Sequence, residues 1–254
     1  MKRRIAFVCA LLVAAALVST AAGEKTVRLV SLDWPPYIGS SITDGSPSKP
    51  NNGYVAELVV EAYKRMGYKV VIDFKPWARA LEESTNGLYD GLFPEYYGEE
   101  RKTDFIYSNP FPGGPVGLMK RKDFKFTYTS LKDLKGYTVG VVTDYINTAE
   151  FDAATHFKKE AVVDDETNIR KLYAKRVDFI FIDKYVALDI IRTKYPEYEK
   201  EFEFIELEVK PLYIVFSKKA AGVQAKLNDF NAGLAAITKD GTVKAILAKH
   251  GFGK

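Results

Sequence analysis

The sequence predicts an α/β protein of two lobes, the second inserted into the first, and three observations carry that reading. Strand-like apolar runs alternate with helical periodicities along most of the chain, the pattern of parallel strands joined by helices. One run, DFIFI (178–182), is apolar enough for a strand buried on both faces. A second strand–helix series begins near Ser130, after which the chain returns through a further apolar strand to a final pair of helices. The 254 residues, 47% hydrophobic and 28% charged, suffice for two modest domains.

Residues 1–22 read as a secretory signal peptide. Lys2, Arg3 and Arg4 precede an apolar stretch, Ile5 to Val18, that is shorter than the roughly 20 residues of a membrane span, and small residues follow it. Removing the leader lowers the formal net charge from +4 to +1, and no basic stripe interleaved with aromatics points to nucleic acid. Cys9, the only cysteine, leaves with it, so the mature chain has no disulfide, thiolate metal site or cysteine nucleophile. His156 and His250 are far apart and read as solvated residues near helix ends. No cofactor or metal is expected.

The first strand is TVRLVSL (26–32), ended by Asp33, Trp34, Pro35, Pro36 and Tyr37, and residues 39–53, rich in Ser, Pro, Asn and Gly, form a loop. Val55, Leu58, Val59, Ala62 and Met66 recur at helical spacing, with Gly67 as the stop. KVVIDF (69–74) is the second strand; Pro76 opens the helix WARALEES, closed by Asn86 and Gly87. YDGLFP (89–94) is the third, and past the turn EYYGEER, TDFIYS (103–108) is extended. The second series holds YTVGVV (137–142), a helix from about Thr148, AVV (161–163), a charged helix, DFIFI, and the helix KYVALDIIRTKY. EFEFIEL and the strand-like PLYIVFSK follow. Val223, Leu227, Phe230, Leu234 and Ile237 mark one face of a long helix that needs a sheet to cover, and GTVKAILAKHG adds a short one. Crossings near 109–118 and 208–214 divide the mature chain into a first lobe, 23–113 with 213–254, and a second, 114–212.

Ligands of open α/β sheets bind beyond the carboxyl ends of the strands, and this sequence loads those ends. Asp33, Trp34 and Tyr37 follow the first strand, Trp77 and Arg79 the second, Glu95, Tyr96 and Tyr97 the third, Asp144 and Tyr145 follow YTVGVV, and Asp183 follows DFIFI. Each has a plainer explanation. Asp183 could be the N-cap of the helix after it, the tryptophans could pack on the neighbouring prolines, and Arg101, in GEERKTD, could be a solvated charge. Their shared topological position favours a site.

In order and spacing, LDWPPY, GYVAEL, YDGLFPEYYGEERKTDFIYSNPF, LKGYTVGVV and DFIFIDKYVAL resemble the type II periplasmic solute-binding proteins, in their polar amino acid receptor branch (family 3), over nearly the whole mature chain. The resemblance implies a two-lobed type II periplasmic binding protein fold with two hinge crossings. It also implies a monomeric periplasmic receptor that closes on a small polar solute and hands it to an ABC permease. By the same resemblance Arg101 clamps the solute's carboxylate, for which a bidentate guanidinium is suited. Asp183 likewise binds its ammonium, and Trp34 and Trp77 wall its side chain.

Departures from the family bear on the solute. Pro94, Glu95, Tyr96 and Tyr97 stand where such receptors keep small hydroxyl or glycine residues, and TDYINT replaces a Gly- and Thr-rich loop. Acids at Glu95 and Asp144 beside two tryptophans suit an amine-bearing solute, through ion pairing and cation–π contact. The fold also carries enzymes, cyclohexadienyl dehydratases and some lytic transglycosylases, for which Glu95 would be the general acid, and sensory input modules, although no signalling segment is read after Lys254.

Overall fold

The computed structural model describes residues 25–39 and 53–252; the leader and most of the 39–53 loop lie outside these described residues. β1 (Lys25–Ser31), α1 (Tyr54–Arg65), β2 (Tyr68–Phe74), α2 (Trp77–Thr85) and β3 (Gly91–Glu95) form a parallel unit with β1 at its centre. It is parallel because each strand is followed by a helix long enough to return the chain to the same sheet edge. β4 (Phe105–Tyr107) and the 11-residue β5 (Phe111–Arg121) follow. Next come β6 (Thr138–Val142), α3 (Ala149–Ala153), β7 (Lys158–Val162), α4 (Asp165–Tyr173), β8 (Phe179–Asp183) and α5 (Lys184–Lys194). The 16-residue β9 (Phe202–Ser217), α6 (Val223–Lys239) and α7 (Thr242–Lys249) complete the chain.

The strand order is β2-β1-β3-β9-β5-β8-β6-β7, with β4 also on β9. β9 joins the lobes: its carboxyl end pairs antiparallel with β3 and β4, and its amino half pairs with β5, whose other edge takes β8. EFEFIEL and PLYIVFSK are therefore one strand, and β5 lies where only a crossing is expected from its two prolines and three glycines. Those residues fit because the β5–β9 register shifts between Phe111 and Gly114 and again between Val116 and Gly117, and bulges tolerate proline. Glycine at 117 is dictated by contact, since a Cβ there would stand 2.1 Å from the carbonyl oxygen of Ile205.

Two further expectations shift. TDFIYS is extended only over Phe105–Tyr107, because Glu99–Thr103 close into a 3-10 turn. The long helix α6 packs mainly on α1 and only narrowly on the sheet; Gly233 permits the approach, its notional Cβ lying 2.0 Å from the Ala62 carbonyl oxygen. Both histidines are partnered, the half-buried His250 with Glu57 at 2.7 Å and the exposed His156 with the Leu131 carbonyl.

Candidate ligand-binding cleft

The carboxyl ends of β1, β3, β6 and β8 meet along one seam between the lobes. Asp183, last residue of β8 and 4% exposed, uses both its oxygens. Oδ1 accepts the backbone N–H groups of Tyr185 (2.8 Å) and Val186 (3.1 Å), capping α5, while Oδ2 accepts the hydroxyls of Tyr37 (2.7 Å) and Tyr96 (2.8 Å) from the first lobe. It is thus an N-cap and a cross-lobe acceptor at once. Burial lifts its pKa to about 6, against those four bonds, which favour the charged form.

Trp34 stacks on Tyr37 with ring centroids 4.6 Å apart and donates Nε1–H to Oδ2 of Asp165 at 3.0 Å. The Tyr145 hydroxyl donates to the same oxygen at 3.3 Å. Asp165 opens α4 and is 5% exposed, and burial pushes its pKa up to about 7. Sequence reasoning missed this residue. It lies three residues past the end of β7, close enough for the strand-end criterion that found the others; in VVDDET it passes for an acidic first helical turn.

Asp144 takes part through its main chain. Its φ of 62° turns the carbonyl oxygen toward the first lobe, where it accepts Trp77 Nε1–H at 3.1 Å and an Nη2–H of Arg101. The carboxylate, expected in the site, is on the exposed side. Arg101 also donates Nε–H to Glu95 Oε2 at 2.9 Å, and Glu95 Oε1 accepts the Tyr96 N–H at 3.0 Å. Glu95 is 3% exposed, and burial raises its pKa to about 7 although Arg101 opposes the shift. Lys210 of β9 reaches the Asn147 carbonyl and stands 5.1 Å over the Tyr96 ring, its pKa lowered by burial.

Arg79 lies outside the seam, exposed on α2 and paired with Glu83 at 2.7 Å. Asp33 is exposed at the cleft mouth. Trp34, Tyr37, Trp77, Glu95, Tyr96, Arg101, Tyr145 and Asp183 are brought together. Around them the inner space, between Trp34, Trp77, Glu95 and Tyr96, is only about 20 Å³, whereas the mouth holds a cavity of about 640 Å³. Among the described residues no three His, Cys, Asp or Glu side chains gather to hold a metal ion.

A chain with this fold and seam invites comparison with known receptors, and the profile of the bacterial extracellular solute-binding proteins, family 3, matches residues 29–254. The chain belongs to that family. The L-cystine-binding protein TcyJ of Escherichia coli is 24% identical over 242 residues, covering 89% of this chain and 83% of TcyJ. Two solved structures share the fold of this family member. An ancestral arginine-binding protein bound to arginine superposes with a TM-score of 0.72 at 22% identity, covering 88% of this chain and 97% of its own. A histidine kinase sensor domain with similarity to periplasmic binding proteins gives 0.74 at 22% identity, covering 89% and 96%. No described helix is long and apolar enough to cross a membrane.

Proposed function

We propose that the chain is exported to the periplasm, closes its two lobes on a small polar solute, amino acid-like or amine-bearing, and delivers it to an ABC permease. One observation carries this reading: hydrogen-bonding groups from strand ends of both lobes converge on one seam, with Arg101 and Asp183 among them. The cystine-binding relative and the arginine-bound neighbour support an amino acid-like solute. β5 and β9 serve as the hinge, and a solute that binds both lobes shifts the open–closed balance by its preference for the closed form. On entry the solute takes over Arg101 from the Asp144 carbonyl.

Calorimetry on the mature chain with amino acids, amines, opines and small peptides tests the proposal. The expected result is one-to-one binding in the micromolar range, about 8 kcal/mol, with Arg101→Ala weakening it by about 2–5 kcal/mol. Absence of binding across the panel rejects the receptor reading.

An enzyme is the second reading, favoured by Glu95, a buried carboxyl lifted to about 7 as a general acid requires. Turnover of prephenate or arogenate, abolished in Glu95→Gln, would establish it. The sensor-domain neighbour keeps a third role in view, in which the closed form signals to a separate membrane partner.

A further inference from the structure

We propose that Asp165 recognises a positively charged nitrogen, ammonium or guanidinium, on the part of the solute that lies in the cavity at the cleft mouth. The proposal rests on the receptor reading and names the class of solute. At about 640 Å³ the cavity is of the size that takes small molecules. Trp34, Trp77 and Tyr145 of its lining supply aromatic surface, and Asp165, Val186 and Ile190 line it from the second lobe.

Asp165 is not the cap of its helix. That role belongs to Asp164, whose Oδ1 accepts the Thr167 N–H at 2.7 Å. Oδ2 of Asp165 is held by Trp34 and Tyr145, while Oδ1 accepts no hydrogen bond from the described residues. A carboxylate 5% exposed, oriented through one oxygen and lining a cavity with the other, keeps that second oxygen for a donor that enters the cavity. A cation suits it best.

The charges around the cavity agree. Four acids, Asp33, Asp164, Asp165 and Glu166, line it with two lysines, Lys75, paired with Glu83, and Lys194, paired with Glu166 itself, so acids outnumber bases. An anionic solute would meet like charge, and a neutral one would leave Asp165 as it is. An ammonium or guanidinium gains the carboxylate and the tryptophan rings together.

The test compares arginine with citrulline, which lacks the guanidinium charge, putrescine with its uncharged diacetyl form, and glutamate, by calorimetry on the wild-type mature chain and on Asp165→Asn. The wild type is expected to bind at least one charged member at least tenfold more tightly than its neutral counterpart. Asp165→Asn is expected to remove most of that ratio; Tyr145→Phe, which removes only one of the two donors, should reduce it less. The wild-type ratio needs no variant and stands even if the substitution impairs folding. Citrulline or glutamate binding as tightly as any cation, or a ratio unchanged in a folded Asp165→Asn, overturns the assignment while leaving the receptor reading intact. No binding by any solute of this set or of the wider panel overturns both.

Discussion

A buried acid that awaits a counter-charge should cost stability, and Asp165 allows that cost to be measured. An aspartate in an unfolded chain titrates near about 4. In the folded protein burial, with Asp183 and Asp164 adding to it, holds this carboxyl up at about 7, against the hydrogen bonds from Trp34 and Tyr145. The folded state therefore binds the proton more tightly than the unfolded one. The resulting stabilisation is complete below pH 4 and is lost as pH rises through 7. Asp165→Asn keeps an acceptor for Trp34 and Tyr145 and never ionises. It should be more stable than the wild type at pH 8, by on the order of 2–4 kcal/mol, and the gap should shrink toward pH 5 and close below pH 4. An equal gap at both pH values would mean that ionisation is not its source. The side chains that the sequence made legible are those that follow a strand directly, such as Trp34 and Asp183. Arg79 was misread because two residues along a helix turn about 200°, which puts it on the face opposite Trp77. The carboxylate of Asp144 was misread because a positive φ reverses the roles of main chain and side chain.

Among the elements, β5 and β9 decide how the lobes are joined. Gly114 and Gly117 of β5 are both crowded, but by different things. A Cβ at 117 would meet the Ile205 carbonyl of β9 at 2.1 Å, whereas at 114 it would meet the Tyr37 hydroxyl at 2.0 Å. Backbone in a ladder yields little and a side chain yields more. Gly117→Ala should thus destabilise the fold by about 1–3 kcal/mol. Gly114→Ala should cost less on melting and instead displace Tyr37 from Asp183, weakening solute binding. Denaturant titration and calorimetry on the two variants check the contrast, and equal losses of stability would contradict it. Most strands and helices could be read from periodicity, but β9 was read in two pieces because Pro211 interrupts it. That proline, which lacks an N–H, lies where the strand changes partner, between Lys210 opposite Gly114 and Leu212 opposite Phe111 on one side and Tyr213 opposite Glu95 on the other. A missing donor is tolerated at such a hand-over, and only the tertiary pairing reveals it.

The two-lobed form follows from the order of strands and helices and was legible for that reason. How the lobes meet depends on hydrogen bonds between residues 43 to 146 positions apart, for which sequence has no signal. Here the seam is closed by the protein's own groups: Trp34 on Asp165, Tyr37 and Tyr96 on Asp183, Trp77 and Arg101 on the Asp144 carbonyl. A solute can shift the lobes only by what it adds beyond these bonds. The ligand-free chain should therefore already populate a compact arrangement. Trp34→Phe keeps the ring stack on Tyr37 and deletes the donor to Asp165, a hydrogen bond to a charged acceptor worth about 1.5–3 kcal/mol. That is roughly a tenfold or larger shift toward the open form. Small-angle scattering without solute should show a larger radius of gyration for Trp34→Phe than for the wild type. Emission from the remaining tryptophan, Trp77, should move to longer wavelength as it leaves the Asp144 carbonyl. Identical scattering from the two proteins would show that the Trp34–Asp165 bond does not hold the lobes together, and closure would then have to rest on the pair of tyrosines that meet Asp183 and on the bonds of Trp77 and Arg101 to the Asp144 carbonyl.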